Sequence, residues 1–148
     1  MKYFIITATI SLLTISSCKS KTIFSEKSVS KVEKISLSER TRGTNRTFTL
    51  SNGKLESSIN GSIDNQEISQ NDWSKTTDFA DKIKLEEISK LEAPSTKRYS
   101  DAALASHITI TKNGTDYQSS TFDSGNPPAE LKNLYNEILR IVKAKKSK

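Results

Sequence analysis

The side chains that could do chemistry in this chain are few and scattered. His107 is the only histidine and Cys18 the only cysteine in 148 residues. A zinc site of imidazoles and thiolates needs about four such ligands, so that chemistry is excluded. A Ser-His-Asp set would have to use His107, yet no G-x-S-x-G elbow accompanies it. His107 also lies inside an alternating segment beside Ile108, where it reads as a structural or surface residue. Carboxylates are plentiful, but their spacing singles out no acid–base pair. Glu86-Glu87 reads as a solvated helix face. Neither a phosphate-binding loop nor a dinucleotide fingerprint is present. Asp123-Ser124-Gly125-Asn126 offers oxygen ligands without the length of an EF-hand loop. The expectation is a non-enzymatic chain with no catalytic residue, no metal and no cofactor.

Two segments are more specified than a core requires. They are Lys97-Arg98-Tyr99-Ser100-Asp101-Ala102-Ala103 and Phe122-Asp123-Ser124-Gly125-Asn126-Pro127-Pro128. A hairpin between them brings their ends together, so Asp101 and Asp123 can meet near its base. Arg98 is placed to pair bidentately with Asp123 or with Asp101. One reading is a loop-locking ion pair beside a helix cap at Asn126. The other is a rigid polar loop presented for recognition. Arg98, Tyr99, Asp101, Asp123 and Asn126 are therefore the candidate recognition or loop-locking residues.

The elements that must position them follow from hydrophobic period. Ile35 and Leu37 alternate with Ser36 and Ser38, and Phe48 and Leu50 alternate with threonines, which predicts strands. Asn52-Gly53 signals a hairpin, with Leu55 to Ile59 returning. Asn60-Gly61 breaks the chain again, and Ile63 and Ile68 are weaker strand positions. The period then becomes helical. Ser69 and Asn71 are candidate caps, and Trp73, Thr76, Thr77, Ala80 and Ile83 share one face. Trp73 reads as a core residue. Leu85 to Leu91 is a second short helical run ending before Pro94. His107 to Thr111, a turn at Asn113-Gly114 and Thr115 to Phe122 form a hairpin. Asn126 as cap, then Pro127 and Pro128 in a first turn, predict a final helix. Its buried stripe is Leu131, Leu134, Tyr135, Ile138, Ile141 and Val142. Strands, helices, hairpin and helix in that order predict an α+β fold, an antiparallel sheet with helices on one face and a long C-terminal helix.

Ahead of these elements lies a different kind of segment. Met1-Lys2 is a short positive start, and Tyr3 to Ile15 is an apolar run. That run is shorter than the roughly 20 residues a membrane-spanning helix needs, so residues 1–17 read as a signal peptide. Ile15-Ser16-Ser17-Cys18 resembles the lipobox of bacterial lipoproteins, in which an aliphatic and two small residues precede a cysteine. The resemblance implies cleavage before Cys18, diacylglycerol on its sulfur and an acyl chain on its new amino group. One acyl chain binds a membrane only marginally, whereas two or three make a durable anchor. Residues 18–31 read as the lipidated cysteine and a tether, and residues 32–148 as a single small domain with a basic tail. The thirteen tether residues from Lys19 to Lys31 hold the domain within roughly 40 Å of the bilayer. By resemblance to the sorting rules of two-membrane bacteria, the non-acidic Lys19 after the cysteine implies the outer membrane, and with no acidic run after Cys18 the periplasmic face is the expected one.

The net charge of +6 admits anionic partners, but that address argues against nucleic acid. The densest basic patch, Lys143 to Lys148, reads first as a solvated helix end whose cations suit the C-terminal dipole. The expected partners are the membrane, through lipid on Cys18, and an envelope protein or a peptidase. R-Y-S-D-A-A-x-A, a hairpin, F-D-S-G-N-P-P-x-E-L and a final helix resemble small bacterial domains often carried by lipoproteins. More remotely, Arg40 to Leu50, the Trp73 helix, Glu92 to Pro94 and the last hairpin and helix are similar in order to emfourin-type inhibitors of thermolysin-like metallopeptidases. That resemblance spans roughly residues 34–142 and implies peptidase inhibition as an alternative to a general interaction domain. The glycine-rich loop of that group is reduced here to Arg42-Gly43-Thr44, and no inhibitory residue is carried across.

Overall fold

Period-two patterning from Val32 onward becomes an antiparallel sheet in the computed structural model, which describes residues 31–146. The signal peptide, the lipobox at Cys18 and nearly all of the tether lie outside those residues. The strands are β1 (Val32–Arg40), β2 (Asn45–Ser51), β3 (Lys54–Ile59), β4 (Ser62–Glu67), β5 (Ala105–Lys112), β6 (Thr115–Gln118) and β7 (Phe122–Asp123). Their order is β4-β3-β2-β1-β5-β6, with β7 pairing β5. All the pairings are antiparallel. The helices are α1 (Gln70–Ala80) and α2 (Lys132–Lys146). The fold is α+β.

One face of the sheet is apolar. Ile35, Leu37, Phe48, Leu50, Leu55, Ile108 and Ile110 are all buried, together with Trp73 and Ala80 of α1 and the inner stripe of α2. The opposite face is polar and half-buried, as period-two alternation requires. There Ser36 pairs with Thr49 and Thr109 across the strands, and Ser38 with Thr47 and His107. Hydroxyl contacts of 3.1 Å (Ser36–Thr49) and 3.3 Å (Ser38–Thr47) tie that face together. At Asn113-Gly114 both residues have positive φ, +52° and +72°, the geometry of a tight hairpin turn.

Ser69 caps α1, accepting at 3.0 Å from the Asp72 N–H while its own hydroxyl donates to the Asp72 carboxylate at 2.8 Å. Trp73, Thr76 and Ala80 are buried, and Thr77 and Ile83 only half so. The Leu85–Lys90 run is a 3₁₀ helix. It packs beside the edge strand β6, and just past that strand the Ser120 N–H donates to Ile88 O at 3.3 Å and the Ser120 hydroxyl bonds Leu91 O. Such covering removes a site for unwanted strand pairing. Thr115 to Phe122 is not one strand: regular pairing stops at Gln118, Ser119 still donates its N–H to Ile108 O at 2.8 Å, and β7 rejoins β5 at Phe122.

The final helix starts later than its composition predicts. Asn126 does not cap it. Asn126 and Pro127 each precede a proline and are pushed towards extended backbone, and Pro128 itself has ψ 150°. One 3₁₀ turn, Ala129–Leu131, then leads into α2 at Lys132. The stripe from Leu131 to Val142 is buried, and Glu137 is buried with it.

Glu137 marks the seam between the helices. Arg140 donates two hydrogen bonds to its carboxylate, at 3.1 and 2.8 Å, and a third to Asp72 of α1. Lys75 of α1 adds an ion pair at 3.1 Å. The Arg140 bonds, then Lys75, hold the Glu137 carboxyl below its ordinary range against the opposing effect of burial. Replacing Arg140 with alanine is expected to cost about 1–3 kcal/mol, the usual worth of charged hydrogen bonds. Half-exposure of Arg140 at 47% places the effect at the lower end. Equilibrium urea unfolding checks this, and an unchanged midpoint would refute the clamp.

Candidate functional site

Four of the five candidate residues, Arg98, Tyr99, Asp123 and Asn126, are organised by one short segment, Phe122 to Asn126. Because β7 pairs Ala105 and Ser106, its two side chains point to opposite sides. Phe122 enters the core and meets Tyr135 edge-on, with centroids 5.7 Å apart and an interplanar angle of 80°. Asp123 points the other way, into the turn that begins at Ser95.

Asp123 is 2% exposed and fully surrounded by donors. The Ser95 hydroxyl donates to Oδ2 at 2.6 Å and the Lys97 N–H at 2.7 Å. The Arg98 N–H donates to Oδ1 at 3.0 Å and Arg98 Nη1 at 3.1 Å. Burial pushes the carboxyl up, but these four bonds outweigh it and hold it down to about 2. The pairing expected to be bidentate is thus a single guanidinium contact, and two backbone N–H groups take the place of the second.

Arg98 is correspondingly enclosed, its side chain 9% exposed. Nη1 also donates to Ser95 O at 2.5 Å, and Nη2 to the Tyr99 hydroxyl at 3.0 Å. Its buried Nε has no hydrogen-bond partner. The guanidinium carbon lies 4.4 Å from the Tyr99 ring centroid, within cation–π range. Burial opposes the charge, but the Asp123 and Tyr99 bonds prevail and raise the Arg98 pKa. Tyr99 is 78% exposed, so the locked loop presents an aromatic ring to solvent with a cation behind it.

Asn126 joins the same knot, its Nδ2 donating to Ser95 Oγ at 2.8 Å. Asp101 does not. It sits in left-handed backbone, φ +57°, and its carboxylate pairs with Arg42 at 3.3 Å on the exposed surface. Of the two carboxylates open to Arg98, the fold selects Asp123. Ser95, absent from the sequence-level candidates, is the residue that links Asp123, Arg98 and Asn126.

A second polar cluster lies behind the same segment. Glu39 is fully buried. Its Oε2 accepts from Arg46 Nε at 2.6 Å. Its Oε1 accepts from the Ser124 hydroxyl at 2.6 Å and from those of Ser106 and Tyr135, each at 3.3 Å. The Tyr135 oxygen also accepts the Gly125 N–H at 2.7 Å. Burial raises the Tyr135 pKa. The signal for Glu39 was present: counting by twos from Ile35 and Leu37 puts it on the core face. Tyr135 was recognised only as part of an apolar stripe.

Chemically, this is an arrangement of enclosed, hydrogen-bonded carboxyl groups. Asp123 is deprotonated and occupied by four donors, and Glu39 by an arginine and three hydroxyls. Both are closed off from solvent, Asp123 at 2% and Glu39 at 0% exposure. His107 is half-buried on the polar sheet face, and burial lowers its pKa. Among the described residues, no three His, Cys, Asp or Glu side chains stand together as a metal-binding group. The chain matches no family model, no curated protein and no solved structure.

Proposed function

We propose that this protein is a bacterial lipoprotein, held in the cell envelope by acyl chains on Cys18, whose α+β domain binds a partner and catalyses nothing. The observation that carries the anchoring is Ile15-Ser16-Ser17-Cys18 directly after the apolar run from Tyr3 to Ile15. The lone thiol in the chain stands at the lipobox position, and the non-acidic Lys19 beside it supports the outer membrane, facing the periplasm. Support for binding comes from the Ser95–Asp101 loop. Its backbone is locked by Asp123, and it exposes the ring of Tyr99. A rigid loop with a projecting aromatic loses little conformational entropy on docking, which suits recognition.

In a bacterial host fed labelled palmitate, the wild-type chain is expected to take up label and lose its first 17 residues. The Cys18→Ser chain is expected to take up none and to persist as the longer precursor. Normal labelling of that variant would overturn the anchor.

A further inference from the structure

Asn-Gly pairs close hairpins in this fold at Asn52-Gly53, Asn60-Gly61 and Asn113-Gly114. Each puts a side-chain amide next to a backbone nitrogen that no side chain shields. These turns are not equivalent. Asn52 Oδ1 accepts from Gln70 Nε2 at 3.0 Å, and Asn60 Oδ1 accepts the Asn45 N–H at 2.8 Å. Both of those amides are held. Asn113 is exposed, and among the described residues none hydrogen-bonds its side chain. The nitrogen that follows it also has a different partner: the Gly114 N–H donates to Glu33 Oε1 at 3.1 Å. A bulge in β1 aims that carboxylate. Val32 pairs Lys112 and Lys34 pairs Thr111, so Glu33 is an extra residue with no opposite number on β5. Among the described residues, no cation forms an ion pair with Glu33.

We propose that Asn113 is a site of spontaneous modification, in which the Gly114 nitrogen attacks the Asn113 side-chain amide and the Glu33 carboxylate acts as base. The new bond joins Gly114 N to Asn113 Cγ and closes a five-membered succinimide. Glu33 takes the proton from Gly114 N and returns it to the departing amide nitrogen, which leaves as ammonia. Water then opens the ring at either carbonyl, giving aspartate or isoaspartate. A carbonyl acceptor on the Gly114 N–H would only hold it in place, because a carbonyl is too weak a base to keep the proton. A carboxylate at 3.1 Å is within reach for proton transfer. Either product puts a second carboxylate beside Glu33, and isoaspartate also lengthens the turn backbone by a methylene. The contact through which β1 holds the tip of the β5–β6 hairpin is thereby weakened.

The test ages the purified full-length chain at neutral pH and follows each asparagine by peptide mass mapping, with isoaspartate read by fragmentation. Asn113 is expected to convert ahead of Asn52 and Asn60. In Glu33→Gln the side chain keeps an oxygen to accept the Gly114 N–H but cannot hold its proton. An exposed carboxylate falls short of the roughly 10²–10⁴-fold range of positioned bases, so conversion at position 113 is expected to slow about tenfold in that variant. In concentrated urea the contacts of all these turns are lost. The three asparagines are then expected to convert at similar rates, with no effect of Glu33→Gln. Conversion of Asn52 or Asn60 as fast as Asn113 in the folded chain would overturn the proposal. So would an unchanged or faster rate in folded Glu33→Gln, or an equal effect of that substitution in urea.

Discussion

The Asp123→Ala variant is expected to lose about 3–5 kcal/mol of unfolding free energy, the range for removing one partner of a buried ion pair. Three groups lose their acceptor together: the Ser95 hydroxyl, the Lys97 N–H and the Arg98 N–H. Arg98 loses its counter-ion while 91% enclosed, with its Nε already lacking a partner. Small domains have only about 5–15 kcal/mol in total, so the variant should be close to unfolding at physiological temperature. Arg98→Ala is expected to cost less, about 1–3 kcal/mol, because Asp123 keeps three of its four donors. The inequality is the sharper test. If urea unfolding finds Arg98→Ala at least as damaging as Asp123→Ala, the carboxylate is not the centre of the knot.

Acid should reproduce part of this loss. The folded-state value of Asp123, about 2, lies below its unfolded value of about 4. A depressed carboxyl stabilises the fold fully above the unfolded value, and that contribution is lost as pH falls through the folded one. Stability is therefore expected to drop between about pH 4 and pH 2 through this group. In Asp123→Asn, that part of the pH dependence should be absent.

The second large effect is at Glu39. Glu39→Ala removes the shared acceptor of Ser106, Ser124 and Tyr135 and the partner of Arg46. Arg46, 32% exposed, can turn towards water, so most of the cost falls on the hydroxyls. Two or three groups left unsatisfied at about 1–2 kcal/mol each predict a loss of about 3 kcal/mol. Tyr135→Phe keeps the edge contact with Phe122 and removes only the hydroxyl, so about 1 kcal/mol is expected. Thermal and urea unfolding of both variants checks this. A Glu39→Ala loss under about 0.5 kcal/mol would show that the cluster does not hold the Ser124-Gly125 turn to the core.

Both clusters show where sequence reasoning succeeds and where it stops. The alternation of β1 and β2, the Asn-Gly turns, the Ser69 cap and the α2 stripe were legible from residues within about ten positions of one another. Their causes are local: side-chain period, φ preference and the satisfaction of helix ends. The helix start was missed because two consecutive prolines constrain the residues before them as well as themselves. The sequence brought Arg98 near two aspartates and could not choose between them. The choice depends on the pairing of β7 with β5, which aims Asp123 into the turn from Ser95 to Arg98, while Asp101 lies beyond that turn and pairs with Arg42.

Glu39 is the clearest case. Its partners Ser106 and Tyr135 are 67 and 96 residues away. Nothing in S-E-R announces them, although the period-two count puts Glu39 on the inner face. By itself the sequence determined most of the elements and the α+β class, because their patterns are written in neighbouring residues. The tertiary structure alone decided that β5 lies beside β1, that Asp123 and not Asp101 holds Arg98, and that a glutamate sits beneath the DSGN turn. Those outcomes come from contacts made across the chain, where burial forces each polar group to find a partner wherever the fold supplies one.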